Sequence, residues 1–309
     1  MRLVTVFGAS GRQGLAQVRQ LSRAGFKARA VSRRADPFLG EEMANAEVVS
    51  ADLDDEASLR RAMEGAEAAF YTRPLIQFAD PVERVKRLAQ AAKAAGVKRV
   101  VMNTSLGTSD EPTGDLAYDS TKAQEDALAM SGAPYTVVRP VLFMDNLLTN
   151  WALPSIVNDG AYVYPHRPDL AANWISLDDV ARYMIAVLDR PDLLGRRITL
   201  GGPERLIPPQ VAEVLSRALG KPVVYRQSQP AEFGKALAGA FGDAIPPEHR
   251  PVTAERFKDF YEFTNRAPHK PFEVDVEALN ALIPLKTETM AEWAKRQDWS
   301  LGGRRPPAG

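Results

Sequence analysis

Three side chains in this sequence could together perform a reduction: the Tyr118 phenol, the Lys122 ammonium four residues on, and the Ser105 hydroxyl at the end of the preceding apolar run. Residues at i and i+4 share one face of a helix. A carbonyl that accepts hydride needs a proton donor and a partner for its oxygen. Tyr118 can donate, Ser105 can hold the oxygen, and Lys122 can lower the phenol from its ordinary pKa of about 10 toward neutrality. The spacing alone is weak, because a solvated tyrosine and lysine on an exposed helix face satisfy it equally well. Position discriminates, since the pair opens a helix directly after the loop that leaves a strand.

Hydride chemistry needs a source of hydride, and the N-terminal stretch Val4-Thr5-Val6-Phe7-Gly8-Ala9-Ser10-Gly11-Arg12-Gln13-Gly14 reads as a phosphate cradle for a dinucleotide. Gly8 lets the chain turn off a strand, Gly11 admits a pyrophosphate, and Gly14 lets the following helix pack closely, while the helix N-terminus supplies free N–H groups. The G-x-x-G-x-x-G spacing differs by one residue from the usual dinucleotide fingerprint. A purely structural turn is the alternative reading. Strand, loop and helix fall in the order that binding requires, and Lys122 could then also hold the nicotinamide ribose. Further on, Ser32-Arg33-Arg34 ends a second strand where an acid would read a ribose 2′-hydroxyl and an arginine a 2′-phosphate. No acid precedes Asp36, so NADP(H) is the expected cofactor and NAD(H) the weaker alternative.

The elements that must position these groups follow from strand and helix patterns. Strands are expected at Val4–Phe7, Lys27–Ser32, Glu47–Ser50, Ala68–Thr72, Val97–Asn103 and Tyr135–Arg139, with helices from Leu15 to Ala24, from Asp54 or Asp55 to Met63, from Asp80 to Ala95 and from Tyr118 to Ser131. Such alternation predicts an α/β fold, a doubly wound parallel Rossmann-type sheet with a smaller C-terminal α/β substrate region. Ligands lie beyond the carboxyl ends of such strands. Asp52 is placed there to meet the adenine, and Thr72 and Arg73 join the cofactor set.

Residues 1–150 form the expected dinucleotide domain, to which 173–200 return through a helix capped at Ser176 and a strand at Arg197–Leu200. Residues 151–172 and 201–300 make the smaller lid-like region, and 301–309 a flexible tail. The aromatics Phe143, Trp151, Tyr162, Tyr164 and Trp174 are candidates for the floor of a substrate pocket, with plain core packing as the alternative.

Equal counts of basic and acidic residues, 39 each, remove any bulk drive toward nucleic acid or anionic membrane. The sequence has no cysteine and only three scattered histidines, which excludes disulfides, thiolate chemistry and metal–thiolate sites, so no metal is expected. No apolar run approaches the ~20 residues that cross a bilayer. A cytoplasmic protein acting on a small molecule is expected, as a monomer or homodimer.

The glycine motif, the Asp52-Leu53 step, Ser131-Gly132-Ala133-Pro134-Tyr135-Thr136-Val137-Val138-Arg139-Pro140, Phe143-Met144-Asp145-Asn146-Leu147 and Ile175-Ser176-Leu177-Asp178-Asp179-Val180-Ala181 resemble the NmrA-like branch of the atypical short-chain dehydrogenases/reductases. The match covers about the first two-thirds of the chain. The resemblance implies a Rossmann-type NAD(P) domain with a C-terminal substrate cleft. It implies either a reductase of quinones and related compounds or a redox sensor that acts through a protein partner. Residue by residue, it places Gly8, Ser10, Gly11, Arg12, Gln13 and Gly14 on the pyrophosphate, Arg33 and Arg34 on the 2′-phosphate, and Asp52 and Leu53 on the adenine. It further places Lys122 on the nicotinamide ribose and Pro140 and Val141 beside the ring. Many similar members lack the tyrosine and keep the lysine; here both are present.

Overall fold

The computed structural model describes residues 1–32, 46–76, 79–267 and 270–301. Its central sheet is built from β1 (Leu3–Phe7), β2 (Lys27–Ser32), β3 (Glu47–Ser50), β4 (Ala68–Thr72), β5 (Arg99–Asn103), β6 (Tyr135–Pro140) and β10 (Arg197–Leu200). These seven strands are parallel and lie in the order β10-β6-β5-β4-β1-β2-β3. The expected α/β sheet is therefore present, and its order reverses between β1 and β4. In such sheets ligands bind at this switch point, in the crevice outside the carboxyl ends of the strands.

Both faces of the sheet are covered, which explains why its strands read as near-continuous apolar runs rather than alternating ones. On one side α1 (Arg12–Arg23) and α6 (Leu177–Ala186) bury Val18, Leu21, Val180 and Met184 against Val4, Val6, Phe70 and Val101. On the other, α2 (Glu56–Met63), α3 (Pro81–Ala94) and α4 (Leu116–Met130) bury Leu59, Val85, Leu88 and Leu128 against Val31, Tyr71, Val100 and Met102. Just beyond α1, α3 and α4 stand glycines with positive φ, Gly25, Gly96 and Gly132, a conformation that L side chains rarely adopt.

After β6 the chain leaves the sheet through β7 (Leu142–Phe143), α5 (Leu153–Asp159), β8 (Ala161–Tyr164) and β9 (Ala172–Ile175), then returns through α6 and β10. It leaves again through β11 (Arg205–Leu206), α7 (Pro208–Leu219), β12 (Val224–Gln227), the helices α8 (Pro230–Ala240) and α9 (Arg250–Arg266), α10 (Val276–Leu282) and α11 (Met290–Lys295). These segments enclose a second core, which contains Tyr162, Tyr164, Trp174, Phe233 and Tyr261. Two small sheets stiffen it: β12 pairs in parallel with β8, and β9 lies between β7 and β11. Among the described residues, no helix is long and apolar enough to cross a membrane.

Candidate functional site

The glycine turn has the backbone a dinucleotide cradle needs. Gly8 sits at φ +72°, and a Cβ at Gly14 would lie 2.2 Å from the Gly8 carbonyl oxygen, so the first turn of α1 can pack on the turn only as glycine. Capping sets α1 apart from the other helices of the sheet. Asp55, Asp80, Asp115 and Ser176 each accept first-turn N–H groups of α2, α3, α4 and α6. Gly11 caps α1 with no side chain, and the first turn of α1 carries no acid. Its N–H groups and the positive end of its dipole face the crevice without an acidic side chain, which suits a pyrophosphate. The residues present therefore fit NAD(P).

Around this turn the expected cofactor residues fall into two groups. Arg12 donates to the Asp145 carbonyl, and the Asp145 carboxylate accepts from the Leu177 N–H at 3.0 Å. Burial pushes that carboxyl upward, against the Arg12 guanidinium, which lowers it. Gln13 crosses the crevice instead, toward β5. Thr72, at the end of β4, accepts from Gln17 Nε2 at 2.8 Å. Arg73 is buried beside it, its Nε donating to the Thr104 carbonyl at 2.8 Å, and burial lowers this guanidinium to about 10. Asp52, on the loop after β3, accepts from the Asp54 N–H at 2.9 Å, with Leu53 half-buried next to it. Pro140 ends β6, and Val141 is buried 3.1 Å from where a Cβ on Gly107 would stand. Ser10 is half-buried in the turn itself. Arg33 and Arg34 lie outside the described residues.

Ser105 stands two residues beyond β5 with φ +56°, a left-handed conformation uncommon outside glycine. It belongs to a ring of three hydrogen bonds. The Ser105 N–H donates to Asn103 Oδ1 at 2.9 Å, Asn103 Nδ2 donates to Gln13 Oε1 at 2.7 Å, and Gln13 Nε2 donates to Ser105 Oγ at 2.8 Å. One glutamine side chain thus spans from the phosphate cradle to the serine hydroxyl. Asn103 is fully buried and escaped the sequence reading, in which it only ended an apolar strand.

Tyr118 and Lys122 begin α4 as expected, yet the structure gives them different surroundings. The Tyr118 ring is 2% exposed and packs beneath α9, with ring centroids 5.8 Å from Phe260 and 5.4 Å from Phe263. Lys122 donates to Asp126 at 2.6 Å, and Asp126 also accepts from Arg197 of β10 at 2.5 Å. The expected lowering of the phenol by Lys122 is corrected. Burial raises Tyr118 well above its ordinary value and the Asp115 carboxylate adds to the rise. Phe260 and Phe263 escaped the sequence reading as well, though their i, i+3 spacing marks one helix face.

Of the five aromatics considered for a substrate floor, Tyr162, Tyr164 and Trp174 are at most 2% exposed and pack ring against ring in the second core. Trp151 is half-buried against Tyr164 and Phe233, and Phe143 packs on the sheet core.

Known proteins share this fold and part of this sequence. A reductase of (4-alkanoyl-5-oxo-2,5-dihydrofuran-3-yl)methyl phosphate from Streptomyces griseus is 30% identical over 87% of this chain and 95% of its own length. An NAD(P)H azoreductase of Xenophilus azovorans is 27% identical over 79% of this chain and 85% of its own. A crystal structure of an NADPH-dependent quinone oxidoreductase from Escherichia coli, complexed with NADPH, superposes with a TM-score of 0.74 at 23% identity over 94% of this chain and 98% of that one. The family model for the NmrA-like family matches residues 1–294, and the chain belongs to that family.

Proposed function

We propose that this NmrA-like oxidoreductase takes hydride from NADPH, in the cytoplasm, and reduces a small aromatic or quinonoid carbonyl compound. The observation that carries the reading is the 2.8 Å bond from Gln13 to Ser105. It puts a hydroxyl able to hold a substrate oxygen one side chain away from the uncapped helix end that suits a pyrophosphate. The relatives named above include an azoreductase and a reductase of (4-alkanoyl-5-oxo-2,5-dihydrofuran-3-yl)methyl phosphate, and quinone oxidoreductase 2 of Escherichia coli is 27% identical over 76% of this chain and 81% of its own, in keeping with such a substrate.

Bound NADPH supplies the hydride. The rest falls to the protein's own residues. The first turn of α1 binds the pyrophosphate, with Gly8, Ser10, Gly11, Arg12, Gln13 and Gly14 around it, and Arg33 and Arg34 receive the 2′-phosphate. Asp52 and Leu53 border the adenine, Thr72 and Arg73 the crevice, Lys122 the nicotinamide ribose, and Pro140 and Val141 the ring. Ser105 holds the substrate oxygen, and Tyr118 gives it a proton.

The test is a panel of quinones, aromatic aldehydes and enones, scored by NADPH oxidation. Turnover of at least one carbonyl compound supports the reading. Cofactor binding with no turnover across the panel would favour a dinucleotide sensor, whose affinity for a protein partner changes with NADP(H). Cofactor preference is tested separately. A charge-assisted phosphate contact is worth about 1.5 to 3 kcal/mol, so Arg33→Ala should remove roughly ten- to a hundredfold of a preference for NADPH over NADH. Equal binding of the two by the unaltered chain would refute the preference.

A further inference from the structure

The triangle of Asn103, Gln13 and Ser105 has a direction, and a group that can only donate sets it. Ambiguity between amide O and N does not arise at a backbone N–H. Because the Ser105 N–H faces Asn103 at 2.9 Å, the atom facing it must be Oδ1. That leaves Asn103 Nδ2 toward Gln13, so Oε1 is the atom that receives it, at 2.7 Å. Gln13 is then left with Nε2 toward Ser105, and its N–H fills one lone pair of the hydroxyl oxygen at 2.8 Å. The Ser105 proton points elsewhere. Its contact in the structure is the Arg73 carbonyl at 3.4 Å, at the long end of the hydrogen-bond range.

We infer that Asn103 and Gln13 are positioning residues that keep the Ser105 hydroxyl a hydrogen-bond donor, its proton held ready for a substrate oxygen on which negative charge develops. The inference rests on the proposed carbonyl reduction. It goes further by assigning a task to Asn103, which touches no cofactor or substrate in that reading, and a second task to Gln13. A serine hydroxyl free to rotate can face an incoming carbonyl with its lone pairs, which repel it. Here Gln13 already fills one of the two lone pairs of the hydroxyl oxygen, which favours the hydroxyl proton facing the substrate oxygen. Donors fixed before the reaction spare the cost of reorienting them as charge develops. The left-handed φ at Ser105 is the local strain that this arrangement tolerates.

Asn103→Asp reverses the direction with little change in size. The introduced carboxylate, when ionised, accepts from the Ser105 N–H and also needs a second donor, so Gln13 turns its Nε2 toward it and its Oε1 to Ser105. The serine proton is then captured by Gln13. When protonated, the introduced carboxyl can donate to Gln13 Oε1 as the asparagine does, and the native direction returns. Burial raises a carboxyl at this position, whereas the Arg73 guanidinium, bound to the adjacent Thr104 carbonyl, lowers it. Its midpoint is read directly from the carboxyl carbon resonance in an NMR titration of the NADP-bound variant.

The experiment measures kcat for the best carbonyl substrate of the panel across pH, for Asn103→Asp, Ser105→Ala, the double variant and the unaltered protein, together with NADPH affinity. The expected ratio of variant to unaltered kcat falls by about 100-fold as pH rises through the NMR midpoint, the loss typical of one oxyanion donor. NADPH affinity should change little, and in the Ser105→Ala background the pH dependence of the ratio should vanish. A ratio flat with pH, or one that persists without Ser105, overturns the inference while leaving the carbonyl reductase reading intact. Failure of the whole panel with the unaltered protein overturns that reading and the inference with it. If Asn103→Asp does not fold, Asn103→Ala tests the same point, because Gln13 is then free to turn either amide atom toward the serine hydroxyl; its effect on kcat must likewise disappear without Ser105.

Discussion

Burial and the Asp115 carboxylate raise the Tyr118 phenol above its ordinary value, so it keeps its proton at neutral pH and is a weaker acid than a free phenol. The proposed role of proton donor is tested directly by removing the hydroxyl. Tyr118→Phe should therefore lower single-turnover NADPH oxidation by an aldehyde or ketone by about 100- to 10,000-fold, with calorimetric NADPH affinity nearly unchanged. An undiminished rate would remove Tyr118 from the proposed chemistry. A quinone is a poorer probe, since it can accept hydride and then take its proton from water. Gly14 carries a prediction of another kind. A methyl group there would stand 2.2 Å from the Gly8 carbonyl oxygen, which backbone cannot yield cheaply. Gly14→Ala should weaken NADPH and NADH alike and lower the melting temperature, both of which isothermal titration and thermal denaturation report. A selective loss of one cofactor would point away from the shared pyrophosphate site.

At the scale of elements, what Tyr118 can do depends on α9. Phe260 and Phe263 form the apolar cover that raises the phenol, so Phe263→Ala should bring Tyr118 down toward the ordinary value of about 10. Tyrosinate absorbance against a Tyr118→Phe control reads this shift, and an unmoved titration would assign the rise to other neighbours. No sequence pattern foretells such a contact, because residues 118 and 260 meet only once the chain has left the sheet and come back. The sheet itself was legible. Its strands are short apolar runs between helices that end at glycines, and Ser176 and Asp55 announce the helices they cap. The pairing of β12 with β8 was not, since Val224–Gln227 is mostly exposed and pairs with a strand some sixty residues earlier, Ala161–Tyr164. Nor was α10, a seven-residue helix whose one signal is the Asp275 cap. Asn103 shows the same limit at the site: a polar residue at a strand end reads like any other until Gln13 is seen to reach it.

At the scale of the whole molecule, the second core carries an acid-sensitive group. The second core encloses His166, 1% exposed among Tyr164, Tyr261 and Phe272, with its Nε2 buried and given no hydrogen-bond partner among the described residues. Burial lowers its pKa to about 3, against about 6.5 in an unfolded chain. A depressed pKa gives a contribution that is complete above the unfolded value and is lost as pH falls through the folded one. The melting temperature of the unaltered protein should thus fall more steeply than that of His166→Phe from about pH 6.5 downward toward 3. Parallel slopes would show that His166 does not govern the acid limb.

The Asn173 side chain and Val274 help to join the two cores. Asn173 on β9 accepts from the Val274 N–H at 2.9 Å and donates to the Gly202 carbonyl at 3.2 Å, while a Cβ on Gly202 would meet the Trp174 carbonyl oxygen at 1.9 Å. Val274 packs against both cores at once. Three passes of the chain are riveted there, so neither half can open alone without tearing hydrogen bonds of the other. Melting should accordingly be a single calorimetric step, and NADPH, which the reading places wholly on the first half, should protect peptide bonds in the second half from a protease, as a keystone steadies the far side of its arch.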